Sequence, residues 1–183
     1  MAHPFPKLDE AAEVALLARG KRPGPDRDRA LVEVFQLFRD PVLALCVHIV
    51  GDRTEAEDVV QQVFLSMHGA LGQFRGESRL ATWIYRITLR AAVAARTRRR
   101  TFAPLEESVP APCTEHELQL RDEARRVTAA MDRLSVDHRA VLSLFAVEGL
   151  SHREIADVLG VPEGTVWSRL SIARKKLNEA LAC

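Results

Sequence analysis

Apolar side chains in this chain recur three and four residues apart, and that spacing leaves few architectures open. Leu31, Val34, Phe35, Phe38, Val42, Leu45, Cys46 and Ile49 follow it, and so do Val59, Val60, Val63, Phe64, Met67 and Leu71. Such spacing marks the buried face of a helix, whereas a half-buried strand alternates apolar and polar residues. No stretch alternates for long enough to make a strand, so the expected fold class is all-α.

Local signals divide these helices. Gly51 is expected to stop the first, and Pro41 to divide or kink it. Thr54 and Glu57 have capping-box spacing, which predicts a second helix from Thr54, with Glu55, Glu57 and Asp58 in its first turn, where the helix dipole favours acids. A third is predicted near Ser78, with Leu80, Trp83, Ile84, Ile87 and Ala91 on one face and arginines on the other face and at its end. Lys21 to Asp28, with two prolines and a glycine, predicts a loop. Thr101 to Thr114 holds Pro104, Pro110 and Pro112 without helical periodicity, and reads as a linker. Beyond it, Leu118 to Met131 and Arg139 to Val147 begin a second helical unit. The expectation is two small helical domains, residues 1–100 and 118–183, joined by a flexible acidic linker at 101–117.

Composition narrows the class. The chain has 183 residues, 47% hydrophobic and 28% charged, as an ordinary globular chain does. Its longest apolar run, Val42 to Val47, is far below the roughly 18 to 20 residues of a membrane span. Asp9, Glu10 and Glu13 stand where a secretory signal needs a basic start and an apolar stretch, so a cytoplasmic protein is expected. Cys46, Cys113 and Cys183 are odd in number and widely spaced, and no disulfide framework is expected.

The net charge of +1 hides a partition. Arg75 to Arg100 carries eight arginines against Glu77, Ala103 to Leu118 carries four acids and no Lys or Arg, and Ser168 to Lys176 carries four cations. Two cationic segments around an acidic one suggest a polyanion held at two places. In the downstream segment Ser151 and Glu154 form a capping box, Gly160 ends the helix, Pro162 suits the first turn of the next, and Ala156 and Val166 have the spacing of a two-helix corner. This reads as a helix-turn-helix, the alternative being a helical hairpin whose cations are merely solvated. Its second helix would bury Val166, Leu170, Ala173 and Leu177 and leave Glu163, Thr165, Trp167, Ser168, Arg169, Ser171 and Arg174 to a duplex, with Arg174, Lys175 and Lys176 on phosphates. The upstream segment joins Trp83, Tyr85 and Arg86 to Arg90, Arg96 and Arg98 to Arg100, the pairing of π faces and cations that holds single-stranded nucleic acid. Trp83 also lies on the apolar face, where it would be a core residue, and the lesser alternative for the arginine run is a solvated helix end.

Three segments, Asp52 to Phe64, Phe74 to Ile87 and Leu150 to Leu177, together resemble in order and spacing the extracytoplasmic-function sigma factors of bacterial RNA polymerase. The resemblance covers roughly residues 30 to 100 and 118 to 181 and implies a two-domain initiation factor without a nucleotide site; no cofactor or metal is expected. It implies that Glu57, Asp58, Gln61 and Gln62 dock on the β′ clamp of core RNA polymerase, and that Arg79, Trp83, Tyr85, Arg86, Arg90 and Arg96 open and read minus-ten DNA. It further implies that Ser151, Arg153, Glu163, Thr165, Trp167, Ser168, Arg169, Arg174 and Lys175 read the minus-thirty-five duplex, with the β flap as a second contact and an anti-sigma protein as a further partner in many relatives. Arg90, Ala94 and Trp167 depart from the family's pattern, so base preference is not implied.

Other classes have less behind them. An enzyme would need a phosphate-cradling glycine loop, a His-Glu-x-x-His or a nucleophile with its base, and none is present. Cys113 and His116, three apart, offer at most two metal ligands. A stand-alone dimeric helix-turn-helix regulator would bind its operator tightly alone, and a protein-interaction module would bind no DNA.

Overall fold

The computed structural model describes residues 8–102 and 125–182, which form helices and the short segments that flank and join them. The N-terminal half has α1 (Glu10–Lys21), α2 (Pro25–Val50), α3 (Arg53–Ala70), a 3-10 turn at Leu71–Gln73 and α4 (Leu80–Phe102). The C-terminal half has α5, helical over residues 125–132, then α6 (Val136–Ala146), α7 (His152–Leu159) and α8 (Glu163–Ala182).

Local chemistry sets most boundaries. Asp9 and Asp52 cap α1 and α3 by accepting from the Ala12 and Glu55 amides at 2.7 and 2.9 Å. The expected start of α3 at Thr54 is therefore corrected: Asp52 is the capping residue, because its carboxylate reaches the amide three residues on. Gly51 ends α2 with φ 84°, a conformation that favours glycine. Pro41 neither ends nor divides α2, because Val34, Phe38, Val42, Leu45, Cys46 and Ile49 bury one unbroken stripe on both sides of it. The loop expected at Lys21 to Asp28 shrinks to residues 22–24, since α1 runs through Lys21 and Pro25 opens α2, where its missing N–H is harmless. The first two residues of the expected linker, Thr101 and Phe102, are likewise helical, as the end of α4. The remainder of the linker, with Cys113 and His116, lies outside the described residues, as do residues 118–124 and Cys183.

In the first half α2 is central, packed by α1, α3 and α4. In the second, α6 and α7 pack on α8. The halves also meet each other, α2 against α6 and α4 against α7, and one continuous apolar core runs across the junction.

Candidate nucleic-acid interface

Helix α4 decides what the N-terminal half can offer to DNA. Its buried positions are Leu80, Ala81, Thr82, Ile84, Tyr85, Thr88, Ala92, Ala95 and Arg96, more than one face, because α4 is covered by α2 and α3 on one side and by α7 on another. Tyr85 is 0% exposed and its hydroxyl donates to Glu148 Oε2 at 2.7 Å. Arg86 donates from Nε and a terminal nitrogen to the Asp157 carbonyl, 2.9 and 2.5 Å away, at the C-terminal turn of α7 where helix carbonyls lack intrahelical partners. Arg96 is buried and reaches the Ile49 and Val50 carbonyls, each at 3.1 Å, and Asp132 Oδ1 at 3.0 Å. Arg139 of α6 meets the same group from the other half, donating to the Ile49 carbonyl at 3.2 Å, to Asp132 Oδ1 at 2.7 Å and to the Met131 carbonyl. Two arginines, one per half, thus share one carboxylate at the negative end of α2.

The six residues grouped with minus-ten DNA consequently separate into two sets. Tyr85, Arg86 and Arg96 face the second half. Arg90 is exposed, as is Arg98 further along the same helix. Trp83 is half-buried, tilted against Phe74 with ring centroids 5.2 Å apart. Arg79 is exposed and pairs with Glu13 at 3.4 Å, while Glu13 also accepts from the Leu80 amide at 2.5 Å and so caps α4 from a different helix. Glu13, Asp132, Arg139 and Glu148 were not legible as site residues, because each acts on a partner that is distant in the chain.

On α3, Glu57, Asp58, Gln61 and Gln62 are all exposed, and Leu65 extends the same side with 74% of its surface in solvent. Near it the Phe35 and Phe64 rings meet edge to face at 4.8 Å.

The helix-turn-helix is assembled by its own sequence. The Ser151 amide donates to Glu154 Oε2 at 2.9 Å and the Glu154 amide to Ser151 Oγ at 3.3 Å, a reciprocal capping box. Gly160 takes φ 66° and ψ 36°, and its amide returns to the Ala156 carbonyl at 2.8 Å. Pro162 stands one residue before α8, where its carbonyl accepts from Thr165 and Val166. Val166, Leu170 and Ala173 are buried, and Leu177 is half-buried. Ser151, Arg153, Glu163, Trp167, Ser168, Arg174 and Lys175 are exposed and Thr165 is half-exposed. Arg169 turns back to Asp137 Oδ2 at 3.0 Å and, with Arg86 and Arg90, lines a cavity of about 470 Å³ between the halves.

Glu148 is a buried titratable group at the junction. It is wholly buried, and burial raises its pKa from an ordinary 4.5 to about 7, against the opposing effect of the Tyr85 hydroxyl bond. Tyr85 of α4 and Cys46 of α2 face it; burial and then the Glu148 charge push the thiol up to about 12 and raise the phenol. A carboxyl with a higher pKa in the packed state takes up a proton on packing. Packing is therefore favoured at low pH, loses this contribution as pH rises from about 4.5 to about 7, and is not changed further by Glu148 above that, with opening changing by at most about tenfold per pH unit. The radius of gyration from small-angle scattering is expected to increase between about pH 5 and about pH 8 and to lose this dependence in Glu148→Gln. An unchanged radius in the parent chain would rule out Glu148 as the controlling group.

Comparison with known proteins gives this arrangement its context. The family models for sigma-70 region 2 and sigma-70 region 4 match residues 34–102 and 124–177. The chain is similar to the RNA polymerase sigma-H factor of Pseudomonas aeruginosa, 38% identical over 162 residues that cover 79% of this chain and 82% of that protein. It is similar also to the ECF RNA polymerase sigma-E factor of Escherichia coli K12, 30% identical over 138 residues, covering 68% and 72%. Among solved structures, CnrH in complex with the cytosolic domain of CnrY superposes with a TM-score of 0.69 at 26% identity, covering 93% of this chain and 97% of that one. RpoE of Bartonella quintana, in complex with the anti-sigma factor NepR, gives 0.64 at 25% identity, covering 82% and 95%. With both sigma regions present in order on one short chain, and identity to whole sigma factors extending across them, the chain belongs to the ECF sigma factors of the sigma-70 family, which are transcription initiation factors.

Proposed function

We infer that the chain works without catalysis of its own, in the cytoplasm, by joining core RNA polymerase to specific promoters. Residues 1–100 carry polymerase binding and minus-ten opening, residues 118–183 carry minus-thirty-five recognition, and the acidic segment between them spans the polymerase. Among the described residues no helix is long and apolar enough to cross a membrane.

The observation that carries this reading is the face of α8. It buries Val166, Leu170 and Ala173 and presents Glu163, Trp167, Ser168, Arg174 and Lys175 to solvent, as a helix entering a major groove requires. On α3 the exposed Glu57, Asp58, Gln61 and Gln62 supply the β′ clamp contact. The packed arrangement adds an order of events. Tyr85, Arg86 and Arg96 are engaged with the second half, so they reach a melted strand only after the halves part, and polymerase binding to both halves supplies the free energy for that. The structural relatives are bound by CnrY and NepR. A protein of that kind gripping both halves here would hold the packed state.

In vitro transcription with core polymerase on a promoter library, with start-site mapping, tests the reading. Start-site selection is expected with both components, and only weak promoter binding by the chain alone. Tight operator binding without polymerase, with no start-site selection, would establish the dimeric regulator instead. Within the holoenzyme, Arg90→Ala and Arg98→Ala, both at exposed positions, are each expected to reduce the slope of log affinity against log salt by roughly 0.7, the value of one single-strand phosphate contact. An unchanged slope would remove them from the interface.

A further inference from the structure

Trp167 is the largest apolar side chain left open on α8, with 58% of its surface in solvent. It is not loose. Its indole lies flat on the imidazole of His152, the first residue of α7, with ring centroids 3.9 Å apart and planes 9° from parallel. His152 in turn sits 5.4 Å from the Phe145 ring of α6, and the Arg174 guanidinium of α8 lies 4.7 Å over that ring's centre. Side chains from α6, α7 and α8 thus form one continuous stack, with the indole at its end. One indole face is covered by His152, which leaves the edge and other face open near the start of α8, the part of a recognition helix that enters the groove.

An indole offers a single donor and no acceptor, so it cannot make the bidentate contacts by which Arg, Lys, Asn or Gln read guanine or adenine. What it offers is rigid apolar surface. The apolar feature among base edges of the major groove is the 5-methyl group of thymine. Resting on the reading of α8 as the duplex reader, we propose that Trp167, held flat by His152, selects a 5-methylpyrimidine at one position of the upstream promoter element. Trp167 makes the contact, and His152 is its positioning residue, fixing a side chain that would otherwise sample several rotamers.

The test uses holoenzyme assembled from the full chain and a promoter that it has selected from a random library. Each thymine of the upstream element is replaced in turn by deoxyuracil, which removes only the methyl group. Binding is expected to fall about fourfold at one position, the effect of withdrawing one buried methyl, and to be unchanged at the others. At that same position 5-methylcytosine is expected to bind about fourfold tighter than cytosine, which assigns the effect to the methyl group and not to the rest of thymine. Trp167→Ala is expected to equalise thymine and uracil, His152→Ala to remove most of the discrimination, and His152→Phe, which keeps a flat ring, to restore it. If the holoenzyme protects the upstream duplex but binds thymine and uracil alike throughout, the inference is overturned while the duplex-reading role of α8 stands. If it protects no upstream duplex, that role fails and the inference with it. The uracil scan uses the unaltered protein, so its result does not depend on how any variant folds.

Discussion

Leu65→Asp is expected to weaken binding of the chain to core RNA polymerase by roughly thirtyfold or more, the effect of losing a hot spot of about 2 kcal/mol. Leu65 is a leucine with three quarters of its surface in solvent, on the α3 side that also carries Glu57, Asp58, Gln61 and Gln62. Affinity at such a surface concentrates in a few side chains that a partner packs against and fully desolvates, while the surrounding contacts chiefly exclude water. Aspartate removes the apolar surface and places a charge where a dry contact must form. Because Leu65 packs little in the free chain, Tm should stay within a few degrees, so the binding loss can be assigned to the interface. Competition for core polymerase against a labelled parent chain measures it, and an affinity within about twofold of the parent would exclude this side of α3 from the contact.

Arg139→Ala acts on stability. The Arg139 side chain is 1% exposed and donates to two backbone carbonyls and to Asp132, joining α6 to the end of α2 across the junction. Alanine would leave those carbonyls without this donor, open a void, and leave Arg96 as the main cation beside a half-exposed carboxylate. Breaking a buried pair costs about 3 to 5 kcal/mol, and exposure of Asp132 places this case at the lower end, near 3 kcal/mol, or about 10 °C in Tm for a chain of this size. Thermal and urea unfolding would show it. A loss under about 1 kcal/mol would mean that the junction draws its stability from apolar packing instead. Asp132→Asn should cost less, since the amide oxygen still accepts and half of the side chain is already hydrated.

Residues near in sequence gave the clearest expectations. The capping box at Ser151 and Glu154, the left-handed Gly160 and the buried Val166 lie within sixteen residues of one another and needed no distant partner. The boundaries misread at Thr54 and in the loop before α2 reflect closely spaced competing signals: two candidate caps two residues apart, and prolines that both end one helix and start the next. Arg96 shows a different failure. In sequence it belongs to a run of arginines that reads as one cationic helix end, yet it points inward while Arg98 stays exposed. A step of two residues turns the side chain by more than half of a helical circuit, and nothing local tells which side another domain will cover.

Helix content, the corner motif, the charge partition and family membership were determined by sequence alone, because each depends on spacing along a few turns or on short segments in order. Tertiary structure alone decided that Tyr85 meets Glu148, that Arg96 and Arg139 share Asp132, and that Trp167 rests on His152. Those pairings depend on how one half of the molecule lies against another or how three helices converge, and burial then sets the energetics: a carboxylate that would be an ordinary surface charge becomes a group titrating near 7 only once its water has been removed.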